Sequence, residues 1–249
     1  MEKYGLVGYP LGHSFSRNFF NEKFRREGTD AEYINFEIPS IDLLPGIIAA
    51  RQELRGLNVT IPYKEQIIPY LDELSDEARA IGAVNVVRIM RSGDGVHLKG
   101  FNSDVIGFMR SIEPLLHSQR HRKALILGTG GASKAVLYGL RQLGLATMYV
   151  SRSARPGMLT YAQLTRETLE EYKVVVNCTP VGMFPHTEEC PELPYELLTP
   201  EHLLYDLVYN PEETMFLKKG RERGAAVKNG LEMLHLQALA GWEFWHSKD

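Results

Sequence analysis

Short apolar runs and helical periodicity alternate through the first hundred residues. Residues 3–8 predict a strand, 16–26 a helix, 33–38 a strand and 41–51 a helix. A further strand is predicted over 56–61, ended by Pro62. Two more, over 84–90 and 96–101, flank Arg91-Ser92-Gly93-Asp94-Gly95, whose two glycines suit a hairpin turn. This half reads as α/β with a mixed sheet. A helix from Asp104 to about Leu116 leads into a polar, basic linker. Beyond it a second α/β series carries strands over 124–127, 147–150, 174–177, 203–207 and 225–227. Strand and helix alternate there at the spacing of a parallel sheet with right-handed crossovers. From 231 to about 245, Leu231, Leu234, Ala238, Trp242 and Trp245 recur at helical spacing and predict one buried face.

A length of 249 residues has room for one large domain or two modest ones. No apolar run approaches the ~18 residues of a membrane helix, and Met1-Glu2-Lys3-Tyr4 lacks the order of a signal peptide, so a cytoplasmic location is expected. The formal charge of -3 hides an asymmetry. Residues 105–166 hold nine basic side chains and one acidic one, Glu113, a surplus of +8, and the remainder sums to -11. A basic segment in an otherwise acidic chain points to an anionic partner for that segment. Cys178 and Cys190 are too few and too isolated for a disulfide framework or a zinc site and read as inert thiols. His117 and His121 have metal-binding spacing, but with three cations beside them and no acidic ligand they read as a solvated linker, and no metal is expected.

The anionic partner has an obvious place. Lys123-Ala124-Leu125-Ile126-Leu127 runs into Gly128-Thr129-Gly130-Gly131-Ala132-Ser133 and then a helical stretch. A strand, a glycine turn and a helix N-terminus make a nest of backbone N–H groups for a pyrophosphate. Ser133 stands where the dinucleotide fingerprint prefers glycine or alanine. About 20 residues beyond the first glycine, NAD-binding folds place an acid on the ribose 2′-hydroxyl. Here the chain reads Ser151-Arg152-Ser153-Ala154-Arg155. Two guanidiniums and two hydroxyls would hold a 2′-phosphate that a carboxylate would repel, which points to NADP.

Four segments of the first half set small polar residues beside strands: Gly12-His13-Ser14-Phe15-Ser16, Asn58-Val59-Thr60-Ile61-Pro62-Tyr63-Lys64, Gly82-Ala83-Val84-Asn85 and Asn102-Ser103-Asp104. Taken singly, the serines read as helix caps, Asn85 and Asn102 as turn residues and Lys64 as a solvated lysine. Taken with a dinucleotide cradle, they are the hydroxyls, amides, lysine and carboxylate that a polyhydroxylated acid would need.

These motifs, in this order, resemble the shikimate dehydrogenase family over nearly the whole chain. The resemblance continues in Asn-x-Thr-x-x-Gly-Met at 177–183, Tyr-Asp-x-Val-Tyr at 205–209 and Gly-Leu-x-Met-Leu-x-x-Gln at 230–237. The chain departs from the family pattern at Arg17, Phe20 and Val105, none of which removes a group with chemistry. The resemblance implies reversible NADPH-dependent reduction of 3-dehydroshikimate to shikimate, in chorismate and aromatic amino acid biosynthesis. Lys64 and Asp104 resemble the catalytic pair, and Ser14, Ser16, Thr60, Asn85, Tyr209 and Gln237 resemble the substrate contacts. Gly128, Thr129, Gly130, Gly131, Ala132, Ser133, Ser151, Arg152, Ser153 and Arg155 resemble the NADP-binding set, with Thr179, Met183 and Gly230 lining the nicotinamide end.

Pattern and resemblance together predict an α/β fold of three parts. These are an N-terminal mixed-sheet substrate domain (1–103), an NADP-binding Rossmann domain with its connecting helix (104–230), and a C-terminal helix (231–249) that returns to the first domain carrying Gln237. A monomer or homodimer with a small-molecule substrate and no nucleic-acid or membrane partner is expected. Three other readings compete. A quinate/shikimate dehydrogenase would differ by one ring hydroxyl of the substrate; the missing acid after Val150 argues against its frequent preference for NAD, and quinate stays open as a side substrate. A catalytically silent NADP sensor is opposed by intact Lys64 and Asp104. Nucleic-acid binding by the +8 segment lacks an interleaved aromatic platform.

Overall fold

The computed structural model describes residues 1–12, 15–93 and 95–247. The candidate Ser14 therefore lies outside the described residues. The chain divides into two compact units, Met1–Ser103 with Ala238–Asp249, and Asp104–Gln237. Among the described residues, no helix is long and apolar enough to cross a membrane.

The first unit runs β1 (Glu2–Gly8), α1 (Phe15–Glu27), β2 (Ala31–Glu37), α2 (Leu44–Ala50), β3 (Leu54–Val59), β4 (Glu73–Leu74), α3 (Asp76–Ile81), β5 (Val86–Ser92) and β6 (Gly95–Phe101). Its sheet has the order β2-β1-β3-β5-β6-β4. β1, β2 and β3 are parallel, whereas β5 runs antiparallel to both β3 and β6, so the sheet is mixed. One group of core side chains joins Val7, Phe36, Leu44, Ile48, Leu57 and Val59. Another joins Tyr4, Phe20, Phe24, Tyr33, Phe101, Ala238 and Trp245.

The second unit runs α4 (Asp104–Ile112), β7 (Lys123–Leu127), α5 (Gly131–Gln142), β8 (Ala146–Ser151), β9 (Met158–Thr160), α6 (Arg166–Glu171), β10 (Val174–Asn177), β11 (Leu203–Asp206), α7 (Met215–Glu222) and β12 (Ala226–Lys228), and holds the start of α8 (Leu231–His246). Its six strands are all parallel, in the order β12-β11-β10-β7-β8-β9. This is the doubly wound dinucleotide-binding order, with its reversal between β7 and β10. A sheet covered on both faces needs uninterrupted apolar strands. Accordingly Ala124 and Ile126 enter one core with Val136, Leu140 and Tyr205, while Leu125 and Leu127 enter another with Leu169, Leu204 and Phe216.

The structure corrects the sequence expectations at several points. The helix expected over 41–51 is a 3-10 turn at Ile41–Leu43 followed by α2, because Pro45 in the first turn has no N–H to continue one ladder. The strand expected to reach Ile61 ends at Val59, and Ile61 is exposed. The division between units falls inside α8, at Gln237/Ala238, rather than at its start. Leu231 is exposed, so the apolar stripe read from it is not one continuous buried face. Of the other positions in that stripe, Ala238 and Trp245 are buried and Leu234 and Trp242 half-buried, and Met233 and Ala240 are buried as well. Finally, His121 is buried rather than solvated: its Nδ1 accepts from the His117 N–H (3.1 Å) and its Nε2 pairs with the Glu201 carbonyl (3.1 Å).

Candidate functional site

In the first unit the polar candidates gather after the C-terminal ends of β1 and β3. Thr60 follows β3, and its N–H donates to the Val7 carbonyl (2.9 Å). Its methyl lies over Gly8, where an added Cβ would come within 2.5 Å of it. The turn onward to Lys64 is held at both sides. Buried Tyr63 donates its hydroxyl to the Ile38 carbonyl (2.6 Å), and the Lys64 carbonyl accepts from the Val84 N–H (2.7 Å). The Lys64 side chain is half-buried at the end of this pinned segment.

A hydrogen-bonded series of side chains runs beside it. The Ser16 hydroxyl bonds the Tyr33 phenol, which burial pushes well above its ordinary range. Tyr33 in turn donates to Asn58 Oδ1 (2.7 Å), and Asn58 Nδ2 donates to the Asn85 carbonyl (3.4 Å). Asn85 is buried. Its Nδ2 donates to Ser103 Oγ (3.0 Å) and its Oδ1 accepts from the Ser103 N–H (2.7 Å). Asn102, also buried, donates to the Ala83 carbonyl (2.9 Å). These asparagines are therefore fixed amides inside the fold, not solvated turn residues. Phe20, a departure from the family pattern, stacks on Tyr33 with ring centroids 4.9 Å apart and belongs to the core.

In the second unit, Gly128 leaves β7 with φ +93, a conformation that favours glycine, and an added Cβ would lie 2.7 Å from the Thr179 methyl. Gly130 caps α5 without a side chain, is exposed, and would project a Cβ into open space. An anion approaching the start of α5 meets bare backbone there, at the positive end of a 12-residue helix. The glycine turn therefore fits a pyrophosphate. Ser133 is fully buried and donates its hydroxyl to the Gly130 carbonyl (2.6 Å), so its side chain braces the turn from within. The Tyr149 hydroxyl adds a bond to the Ser133 carbonyl (3.2 Å).

β8 ends at Ser151, whose Oγ accepts from the Ser153 N–H (3.3 Å) in a tight turn. Arg152 and Arg155 follow, both exposed, and among the described residues no carboxylate pairs with either. Two unneutralised guanidiniums at this strand terminus suit a phosphate monoester.

The other candidates are placed as follows. Asp104 opens α4 and is buried, a carboxylate at the helix end where the macrodipole favours negative charge. Thr179 lies just past β10 and is half-buried, while Met183 and Tyr209 are exposed in loops. Gly230 precedes α8 with an added Cβ overlapping the Leu207 carbonyl, so packing within the protein already demands glycine there. Gln237 donates to the Leu234 carbonyl (2.9 Å), and its backbone lies against Gly107 of α4.

The sequence reading missed two groups as site candidates: Tyr33 and Asp206. Tyr33 sits in an apolar strand and carries no polar signal of its own. Asp206 is fully buried at the end of β11 and bonded to Asn177 and Thr214, a role that only strand pairing displays.

Comparison with known proteins bears on both units. Residues 6–87 match the family model of the shikimate dehydrogenase substrate binding domain. The shikimate dehydrogenase (NADP(+)) of Desulforamulus reducens is 35% identical over 97% of this chain and 88% of its own. That of Halothermothrix orenii is 38% identical over 97% and 89%. Among solved structures, shikimate 5-dehydrogenase from Thermus thermophilus in complex with NADP(H) and shikimate superposes with a TM-score of 0.83 at 32% identity, covering 99% of this chain and 94% of that one.

Proposed function

The chain belongs to the shikimate dehydrogenase family, and on that premise we propose that it catalyses the NADP-dependent, reversible reduction of 3-dehydroshikimate to shikimate, a step toward chorismate and the aromatic amino acids. The observation that carries this reading is that the relatedness runs from end to end. It takes in both the amide and hydroxyl series of the first unit and the dinucleotide strand order of the second.

NADPH, when bound, supplies the hydride for the carbonyl carbon. The chain's own residues must stabilise the alkoxide that develops on the carbonyl oxygen and give it a proton. Lys64 is assigned both tasks, as an ammonium that is electrostatic stabiliser and general acid. Asp104 is assigned the orientation of that ammonium rather than the transfer of its proton. Ser14, Ser16, Thr60, Asn85, Tyr209 and Gln237 are assigned to the substrate's hydroxyls and carboxylate. The fixed geometry of Thr60 and Asn85 supports this, since groups already held in place lose little freedom on binding.

For the cofactor, Gly128 to Ser133 are assigned to the pyrophosphate through backbone N–H groups, and Ser151, Arg152, Ser153 and Arg155 to the 2′-phosphate. Thr179, Met183 and Gly230 are assigned to the nicotinamide end. A cytoplasmic enzyme acting as a monomer or homodimer completes the reading, with the assembly state to be read by gel filtration.

The deciding experiment measures reduction of NADP and of NAD by the purified chain with shikimate and with quinate. Shikimate-dependent NADPH formation, with NAD a poor substitute, is expected. No reduction of either cofactor with shikimate would overturn the proposal, and a preference for quinate with NAD would move the chain to the quinate-oxidising branch.

A further inference from the structure

The bonds around Asp206 are ordered so that each group leaves the next a single choice. Asp206 Oδ1 accepts from Asn177 Nδ2 and from the Val208 N–H, both at 3.0 Å, and Oδ2 accepts from the Thr214 hydroxyl at 2.6 Å. An ionised carboxylate can only accept. Asn177 must therefore turn its NH2 toward Asp206 and its carbonyl oxygen away. That oxygen accepts from both the N–H (3.0 Å) and the hydroxyl (2.6 Å) of Thr179. The single hydroxyl proton of Thr179 is thereby committed, and its oxygen is left to accept from the Val181 N–H (3.3 Å). With the hydroxyl so placed, the Thr179 methyl covers Gly128, the first glycine of the turn.

The second arm reaches the same segment. Thr214 caps α7, accepting from the Leu217 N–H (3.4 Å), and its Cβ lies 3.6 Å from where a Cβ on Gly182 would stand. Asp206 thus bonds a residue on each side of the segment after β10, and that segment leaves the sheet where its strand order reverses, beside β7. Open α/β sheets bind their ligands at such a reversal.

We propose that Asp206 is a positioning residue for the nicotinamide half of the cofactor, acting through Asn177 and Thr214 to fix Thr179 and residues 178–183 against the glycine turn. This rests on the NADP reading above. The charge matters more than the shape. An amide at 206 presents donors as well as an acceptor, so Asn177 can turn over and set its own NH2 against the Thr179 N–H and hydroxyl. Burial pushes the Asp206 carboxyl up to about 6 against the pull of its three donors, which still leaves it ionised at neutral pH.

The test separates the two ends of the cofactor. NADPH and adenosine 2′,5′-bisphosphate, which has the adenine end alone, are titrated calorimetrically into the wild-type chain and into Asp206→Asn, Thr214→Val and Thr214→Ser. Loss of one hydrogen bond to a charged group is expected to weaken NADPH about tenfold in D206N and T214V. Bisphosphate affinity stays within about twofold, and T214S restores NADPH binding, because a general loss of packing would move both ligands together. Equal weakening of both ligands, or no change in NADPH, overturns the inference. Should D206N fail to fold, the contrast between T214V and T214S decides by itself. Shikimate oxidation by the wild type reports separately on the proposed function: a chain that binds NADPH without oxidising shikimate loses that function and keeps this inference.

Discussion

The indole of Trp245 lies flat against the backbone of Gly56, so close that a methyl group on that α-carbon would overlap the ring. The indole N–H also donates to the Val87 carbonyl (3.1 Å), which fixes the ring over β3 and β5. Gly56→Ala should therefore destabilise the chain by about 1–3 kcal/mol through overpacking. Trimming the ring with Trp245→Leu should make the Ala substitution cheaper, so the double variant should fall short of the sum of the singles. Thermal unfolding of the four proteins measures this, and strict additivity would show that the two positions do not interact.

Lys64→Ala should lower kcat by at least ~10²-fold while the KM for shikimate stays within a few-fold, because the lost interaction develops only with the alkoxide. Steady-state kinetics with saturating NADP are the measurement. Near-normal kcat would remove Lys64 from the chemistry.

Replacing Arg152 and Arg155 together with Ala should raise the KM for NADP far more than that for NAD. Only NADP carries a 2′-phosphate for the two guanidiniums, which no carboxylate neutralises among the described residues. Comparable changes for both cofactors would show that these arginines do not read the 2′-phosphate.

Two buried groups in the second unit should pull acid stability in opposite directions. His202 accepts from the Thr199 N–H (3.0 Å) at Nδ1 and so must donate from Nε2 to the Leu169 carbonyl (2.9 Å), an arrangement open only to the neutral ring. Burial first, and Lys173 next, hold its pKa below the ordinary 6.5. Its stabilisation is thus complete above pH 6.5 and is lost as pH falls through the lowered value. Asp206 has the opposite sign: raised from 3.8 to about 6, it favours the fold most below 3.8 and loses that contribution as pH rises through about 6. The shift corresponds to on the order of 3 kcal/mol. Melting temperatures between pH 4 and 8 should therefore fall more steeply on acidification in Asp206→Asn than in wild type, and less steeply in His202→Gln. Parallel curves for all three proteins would refute both assignments.

The second unit was the more legible in sequence, for a physical reason. A sheet buried on both faces demands runs such as Val174-Val175-Val176, and a helix starting on glycines announces itself. β4 and β9 escaped notice because strands of two and three residues at sheet edges are too short to show a period. Site residues were legible where they lay in contiguous motifs. Asp206 stood within one such motif, yet its task follows from the β10–β11 register, which sets Asn177 opposite Asp206 across 29 residues of sequence. Tyr33 was hidden for a related reason: an aromatic side chain in a strand reads as core, and its hydroxyl acquires meaning only when Asn58 and Ser16 arrive from other elements.

The first unit is built from two stretches of chain, and this orders events during synthesis. Tyr4 and Trp245 pack with ring centroids 4.8 Å apart, although the whole of 104–237 is made between them. The indole that packs on Gly56 and lies beside Tyr33 therefore reaches the first unit only after residues 104–237 have been made. The amide series beside β3 therefore takes on its finished surroundings only once that last stretch of chain has returned to the sheet on which the first residues lie.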